Sequence, residues 1–225
     1  MRAASTLVIM ARYPTPGAVK TRLAQVIGAA RAAALYRAFL QDLEARCGAG
    51  PRPLVWAYTP ADSNFAALLM PGARCLPQDG ADLGARMHNC FTRLCADSGR
   101  GVIMIGADVP HVRDAWLDEA ERALASADVV LGPAADGGYY LITMRAAHDV
   151  FSGIAMGTSR VLAETRRAAE SAGLRVHLLP ASFDVDDADD LQRLRDLLED
   201  ANEARRLPAT AALLARWDGD DHTRP

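Results

Sequence analysis

Short apolar runs with strand character alternate with segments of helical periodicity along most of this chain. That alternation limits the fold more than any other feature. The clearest run, "VIMI" at 102–105, is four residues long and wholly apolar. A strand without a polar face has to be buried on both sides, as in a parallel sheet covered by helices. Further strands are predicted over 5–10, 54–58, 74–76, 129–131 and 174–179, with another inside 136–144. Between them, Leu35, Tyr36, Phe39, Leu40 and Leu43 recur at helical spacing within 29–47. Leu83, Met87, Cys90, Phe91 and Leu94 form one face of a helix over 82–95, with Asp82 placed to cap it. Helices are also predicted from about 19, over 61–69, 114–124 and 158–172, and entering from 184 to 198.

The pattern implies a layered α/β fold with a mainly parallel sheet. At 225 residues, half of them hydrophobic, the chain suits a single domain over 1–217. A polar tail at 218–225 is expected to fray. No internal repeat, low-complexity segment or dividing linker is present. A net charge of -3 and a pI near 5.9 argue against a general nucleic-acid binder. The apolar run at 7–10 is too short for a signal peptide, and nothing approaches the roughly 18 apolar residues of a membrane span. Cys47, Cys75, Cys90 and Cys95 form no C-x-x-C pair, which fits a reduced, cytoplasmic compartment.

Ligands of open parallel sheets bind beyond the carboxyl ends of the strands, so the strand-to-helix loops are the place to search. The first loop carries "PGAVKTRL". It is not a P-loop, because Val19 rather than glycine precedes Lys20. The dinucleotide fingerprint is missing too, which disfavours an NAD-linked oxidoreductase. Lys20 and Arg22 nevertheless lie at the start of a helix, where unpaired N–H groups and the dipole favour an anion such as a diphosphate. The competing reading is a pair of solvated helix charges.

Asp108 follows the strand at 102–105, where a carboxylate can hold Mg²⁺ against substrate phosphates. It could instead cap the next helix, although Asp114 is better placed for that. In "FDVDDADDL", Asp184 and Asp186 point the same way on extended chain and could complete a metal site, with Asp186 the preferred ligand. Asp187 reads as an N-cap and Asp190 as its capping-box partner. In "GPAADGGYYL", Gly137 and Gly138 permit a tight turn or close approach of a ligand, and one of Tyr139 and Tyr140 belongs to the core. His88 lies off the apolar stripe and reads as solvated, and His111, His148, His177 and His222 show no partner in sequence.

Six stretches, "ARYPTPGAVKTRLA", "QDGADLGARM", "GADVPHV", "LGPAADGGYYLI", "TSRVLAETRRAAESAGL" and "DVDDADDL", occur in the order of a bacterial GT-A-like family. The chain resembles that family over residues 7–198. Its members are described as nucleotide-diphospho-sugar transferases or glycosyltransferases, some labelled arsenosugar biosynthesis glycosyltransferases, and it is similar to small guanylyltransferases. The resemblance implies a three-layer α/β/α fold with a mainly parallel mixed sheet. It implies nucleotide contacts from Ala11, Arg12, Gly17, Lys20 and Arg22, and from Gln78, Asp82 and Arg86. It also implies Mg²⁺ or Mn²⁺ held by Asp108 and Asp186, with Lys20 and Asp136 in catalysis.

Three departures stand out. Ala135 replaces an acidic residue common in the family, Asp187-Ala188 replaces Thr-Pro, and Asp108-Val109-Pro110 offers one carboxylate where glycosyltransferases of this fold carry Asp-x-Asp. The implied function is a metal-dependent transferase using a nucleotide-diphospho-sugar and a small-molecule acceptor. The alternatives are a nucleotidyltransferase that uses a nucleoside triphosphate and releases pyrophosphate, and a nucleotide-binding module without chemistry.

Overall fold

The apolar runs form a seven-stranded sheet in the computed structural model, which describes residues 4–98 and 101–222. The strands are β1 (Thr6–Arg12), β2 (Leu54–Thr59), β3 (Arg74–Pro77), β4 (Val102–Gly106), β5 (Val129–Pro133), β6 (Tyr139–Met144) and β7 (Val176–Leu178), in the order β3-β2-β1-β4-β6-β5-β7. Only β6 runs against the others, pairing antiparallel with both β4 and β5. The expected mixed, mainly parallel α/β sheet is therefore what forms.

Side chains alternate across the sheet and split the core in two. Leu7 and Ile9 of β1 and Ile103 and Ile105 of β4 point to one side. They meet Leu35, Phe39 and Leu43 of α2 (Ala29–Gly48) there. Val8, Val102 and Met104 point to the other side, against Phe91 and Leu94 of α3 (Leu83–Ser98) and Ala169 of α5 (Val161–Ser171). The first layer also holds α1 (Thr21–Ile27), α4 (Asp114–Ala123) and α6 (Ala188–Leu198).

Several local expectations shift. The helix expected from about residue 19 begins at Thr21, because Lys20 adopts a left-handed backbone, φ 48°. Residues 61–69 hold only a 3₁₀ turn, Phe65–Leu68, since Ser63 folds back on the Pro60 carbonyl and uses the first half of the segment in a turn. Asp114 does not cap α4. Arg113 is the N-cap and makes no side-chain cap bond, while Asp114 places its charge in the first turn, near the positive end of the helix. Asp187 and Asp190 do form a capping box on α6.

Two helices, α7 (Ala201–Arg206) and α8 (Pro208–His222), fill a stretch that the sequence patterning leaves unassigned. The tail expected to fray is helical through 222, while 223–225 lie outside the described residues. Helix α8 packs on α2, and Asp42 of α2 binds its first turn. That carboxylate is 1% exposed and accepts from Ala209 N at 2.8 Å, Thr210 N at 2.9 Å and Thr210 Oγ1 at 2.6 Å.

Candidate active site

From β1 the chain crosses to β2 and β3 on one side and later returns to β4 on the other, so the sheet order reverses between β1 and β4. Ligand sites of open α/β sheets lie outside the carboxyl ends of the strands at such a point. A cleft of about 440 Å³ opens there, reached by Arg12 at the end of β1, Asp108 beyond β4 and Asp136 before β6. Because β6 is antiparallel, its entry turn lies at the same edge as the exits of β1 and β4.

Asp108, Asp184 and Asp186 each bring a carboxylate oxygen within 4.8 Å of the other two, the one such acidic, histidine or cysteine trio among the described residues. The backbone joins their loops, as Val185 N donates to the Asp108 carbonyl at 3.0 Å. Gly106 makes room for the turn back over the strand end, since a Cβ there would stand 2.1 Å from Asp108 Oδ1.

One cation faces this cluster. Lys20 Nζ lies 2.6 Å from Asp186 Oδ1 and 3.5 Å from Asp108 Oδ2, and its side chain is 5% exposed. Burial works against the ammonium, but Asp108 and Asp186 outweigh it and hold the Lys20 pKa above its ordinary value. Asp186 is pulled in the opposite sense. Burial disfavours its charge, and Lys20 more than compensates, lowering its pKa. Asp184 gains no such help and is pushed up to about 7 by burial and by Asp108, Asp186 and Asp136. The site therefore carries more carboxylate than its own cation balances.

The other side chains implied by the resemblance fall into three groups. Ala11, Arg12, Gln78, Arg86 and Asp136 line the cleft together with Asp108 and Asp186. Gln78 Nε2 donates to the Ala11 and Ala57 carbonyls, tying β1 to β2, and Arg86 Nε donates to the Gly80 carbonyl. Asp136 Oδ1 accepts from Gly138 N at 2.8 Å. Lys20 and Arg22 instead line a second cavity of about 240 Å³, which shares Arg12, Tyr36, Asp108 and Asp186 with the first. Arg22 pairs with Asp187 and is largely exposed. Gly17 and Asp82 line neither cavity. Gly17 sits in a turn with φ 81°, and Asp82 Oδ1 caps α3 by accepting from Ala85 N.

The start of α1 is tied to the late acidic loop. Its Leu23 N–H is already bound to the Asp186 carbonyl at 3.1 Å, so Lys20 and the helix start face the carboxylate loop. Asp184 joins the cluster alongside Asp186, which the spacing of two in extended chain had allowed. Tyr36 had no functional signal in sequence beyond its place on an apolar stripe. Its ring nonetheless lies at both cavities, its hydroxyl accepts from Arg12 N at 3.1 Å, and burial pushes its pKa up to about 12. His88 is half-buried against Phe151 rather than solvated, while Cys90 and Tyr140 are buried as expected.

The fold is α/β, and the likeness to known proteins makes the chain an enzyme of the transferase class. The chain belongs to the bacterial family described as "uncharacterized protein conserved in bacteria (DUF2064)", whose model matches residues 43–158. It is similar to a candidate nucleotide-diphospho-sugar transferase from Desulfovibrio desulfuricans G20, with 34% identity over 96% of each chain and a TM-score of 0.88. The resemblance read from the six motifs is thereby borne out. In fold alone it is similar to a 4-diphosphocytidyl-2C-methyl-D-erythritol synthase, at 14% identity over 88% of this chain and 99% of the other, with a TM-score of 0.57. The same holds for a cytidylyltransferase from Leptospira borgpetersenii, at 11% identity over 88% and 87%, with a TM-score of 0.52. No curated protein sequence matches the chain. Among the described residues, no helix is long and apolar enough to cross a membrane.

Proposed function

We propose that the chain is a metal-dependent transferase that uses a nucleotide-diphospho-sugar as donor. The convergence of Asp108, Asp184 and Asp186, two of them paired with the Lys20 ammonium, at the point where the sheet order reverses, carries this reading. Three hard carboxylate donors suit Mg²⁺ or Mn²⁺, which keep the remainder of their shell for water and phosphate. When bound, such an ion supplies charge neutralisation for the donor diphosphate and for the leaving phosphate.

Lys20 has a double task in this reading. Its ammonium pairs with two carboxylates and also borders the second cavity, where it meets the donor diphosphate. Arg12 and Arg22, beside Lys20 at the second cavity, add positive charge for the same phosphates. The acceptor enters beside the 136–139 turn. Asp136 Oδ1 is held by Gly138 N, and the carboxylate takes the acceptor's proton. The name of the Desulfovibrio relative supports the choice of donor.

The reading is tested by thermal stability with Mn²⁺ against a panel of nucleotide-sugars and nucleoside triphosphates. A ligand that binds the native state alone raises the melting temperature by mass action. The expected result is a rise that needs metal and nucleotide-sugar together and that Asp108→Asn abolishes. No metal-dependent rise with any nucleotide would overturn it.

Nucleotidyl transfer is the second reading, favoured by the cavity of about 240 Å³ beyond Lys20, which offers room for a departing pyrophosphate. A rise with one triphosphate and pyrophosphate in the product would select it. Tight nucleotide binding without turnover would select a binding module.

A further inference from the structure

We infer that His111 is a positioning residue, holding the loop that carries Asp108 in register with the loop that carries Asp184 and Asp186. The inference rests on the metal-site reading above and concerns a side chain that reading leaves unused. His111 stands three residues beyond Asp108 and is 4% exposed. Its Nε2 lies 3.2 Å from the hydroxyl of Ser182, which is itself 9% exposed. Its ring stacks on Phe183 with centroids 4.2 Å apart and planes at 27°. Ser182 and Phe183 immediately precede Asp184, so one imidazole grips the late loop just before its carboxylates begin.

Both ends of this contact are anchored. Arg46 donates to the carbonyls of Pro110 and Val112, and Arg206 donates to Val112 at 2.8 Å, which pins the backbone on either side of His111. Ser182 N donates to the Pro133 carbonyl at 2.9 Å, and the Ser182 carbonyl accepts from Ala135 N at 3.0 Å, next to Asp136. Arg193 lies over the Phe183 ring, 4.2 Å from its centroid. The His111–Ser182 bond thus links the segments bearing all four acidic groups of the cleft.

An apolar side chain could fill the same space, but it could not fix Ser182 by a directional bond. The ring is neutral at ordinary pH, because burial and the facing Arg46, Arg206, Arg193 and Arg113 push its pKa down to about 3. A neutral imidazole can donate to the serine oxygen or accept from its proton, according to tautomer. Outer partners of this kind fix carboxylate orientation, and their loss commonly costs tenfold or more in metal affinity.

The test is calorimetric titration of Mn²⁺ into wild type, His111→Phe, Ser182→Ala, the double variant and His111→Gln, with urea unfolding run beside it. His111→Phe retains the ring stack and removes the bond. The expected result is about a tenfold loss of Mn²⁺ affinity in each single variant, no further loss in the double variant, and partial recovery in His111→Gln. Asp42→Asn, a destabilising change at a residue that lines neither cavity, should leave Mn²⁺ affinity unaltered, which separates positioning from general loosening. Wild-type affinity in a folded His111→Phe or Ser182→Ala protein, or additive losses in the double variant, would overturn the inference. Should His111→Phe not fold, Ser182→Ala decides alone. Absence of Mn²⁺ binding in wild type would instead bring down the metal-site reading, and this inference with it.

Discussion

The chain draws carboxylates into its interior at Asp42 and gathers partly exposed ones at Asp108, Asp184 and Asp186, and it treats the two places in opposite ways. Asp42 is inaccessible, yet three donors from the first turn of α8 meet it, so its burial locks one helix to another. Asp108, Asp184 and Asp186 crowd one end of a cleft, with Lys20 paired to Asp108 and Asp186 alone. The difference separates architecture from function. A satisfied buried charge holds the fold, whereas an under-compensated group of charges invites a cation from outside and is the kind of local conflict found at working sites.

The largest effect should come from breaking the satisfied site. Asp42→Ala strands two backbone donors and the Thr210 hydroxyl, and should cost about 2–4 kcal/mol in urea unfolding, with Mn²⁺ affinity unchanged. A loss below about 1 kcal/mol would mean that the α2–α8 contact depends on apolar packing instead.

Next in size is the removal of the internal cation. Lys20→Met deletes the ammonium that competes for Asp108 and Asp186, so Mn²⁺ measured without nucleotide should bind about tenfold more tightly, a gain of about 1.4 kcal/mol. Nucleotide affinity in the presence of Mn²⁺ should fall by a similar factor. Weaker Mn²⁺ binding would show that Lys20 supports the metal site rather than occupying it.

Asp184→Asn removes one of the crowded charges and should raise metal-free stability at pH 8 by about 1 kcal/mol, solvent screening limiting the gain. The pH dependence gives its sign. Asp184 titrates near 7 when folded against an ordinary 3.8, so its contribution is complete below about pH 4 and is lost as pH rises through 7. His111 acts the other way. Its folded value near 3 lies below the ordinary 6.5, so its contribution is present above pH 6.5 and is lost as pH falls toward 3. The two slopes oppose one another in wild type between about pH 4 and 6.5, and Asp184→Asn should uncover the His111 slope, at most about 1.4 kcal/mol per pH unit. Urea midpoints across that range check this, and identical pH profiles for wild type and variant would contradict it.

The smallest effect is steric. Gly106→Ala would push a Cβ against Asp108 Oδ1 and should weaken Mn²⁺ binding about three- to tenfold with the unfolding midpoint little changed. Unchanged affinity would mean that Asp108 reaches the ion from another rotamer.

These contrasts also explain what the sequence made legible. Strand-and-helix alternation, the double-sided burial of β4 and the capping box of α6 are local properties, and all could be read from spacing. Asp108 and Asp186 were legible as candidates because each sits in a loop beyond a strand. Lys20 reads in sequence as an anion ligand or a solvated helix charge, and its partner Asp186 is 166 residues away, a pairing no local pattern encodes. Asp42 carries no signal in sequence, because its partners Ala209 and Thr210 lie on a helix whose inward face mixes Leu214 and Trp217 with a polar Thr210. His111 and Ser182 are likewise 71 residues apart, and His111, although it lies inside "GADVPHV", shows no partner in sequence.

Mn²⁺ titration by calorimetry on wild type, Asp108→Asn and Asp186→Asn bears most directly on the functional reading of the carboxylate cluster. Binding of one ion by wild type, weakened more than about 100-fold in both variants and tightened by a nucleotide-diphospho-sugar, is the predicted result. Equal Mn²⁺ affinity in all three proteins, or none in wild type, would contradict it and leave the cluster as a lysine-bridged structural feature of the cleft.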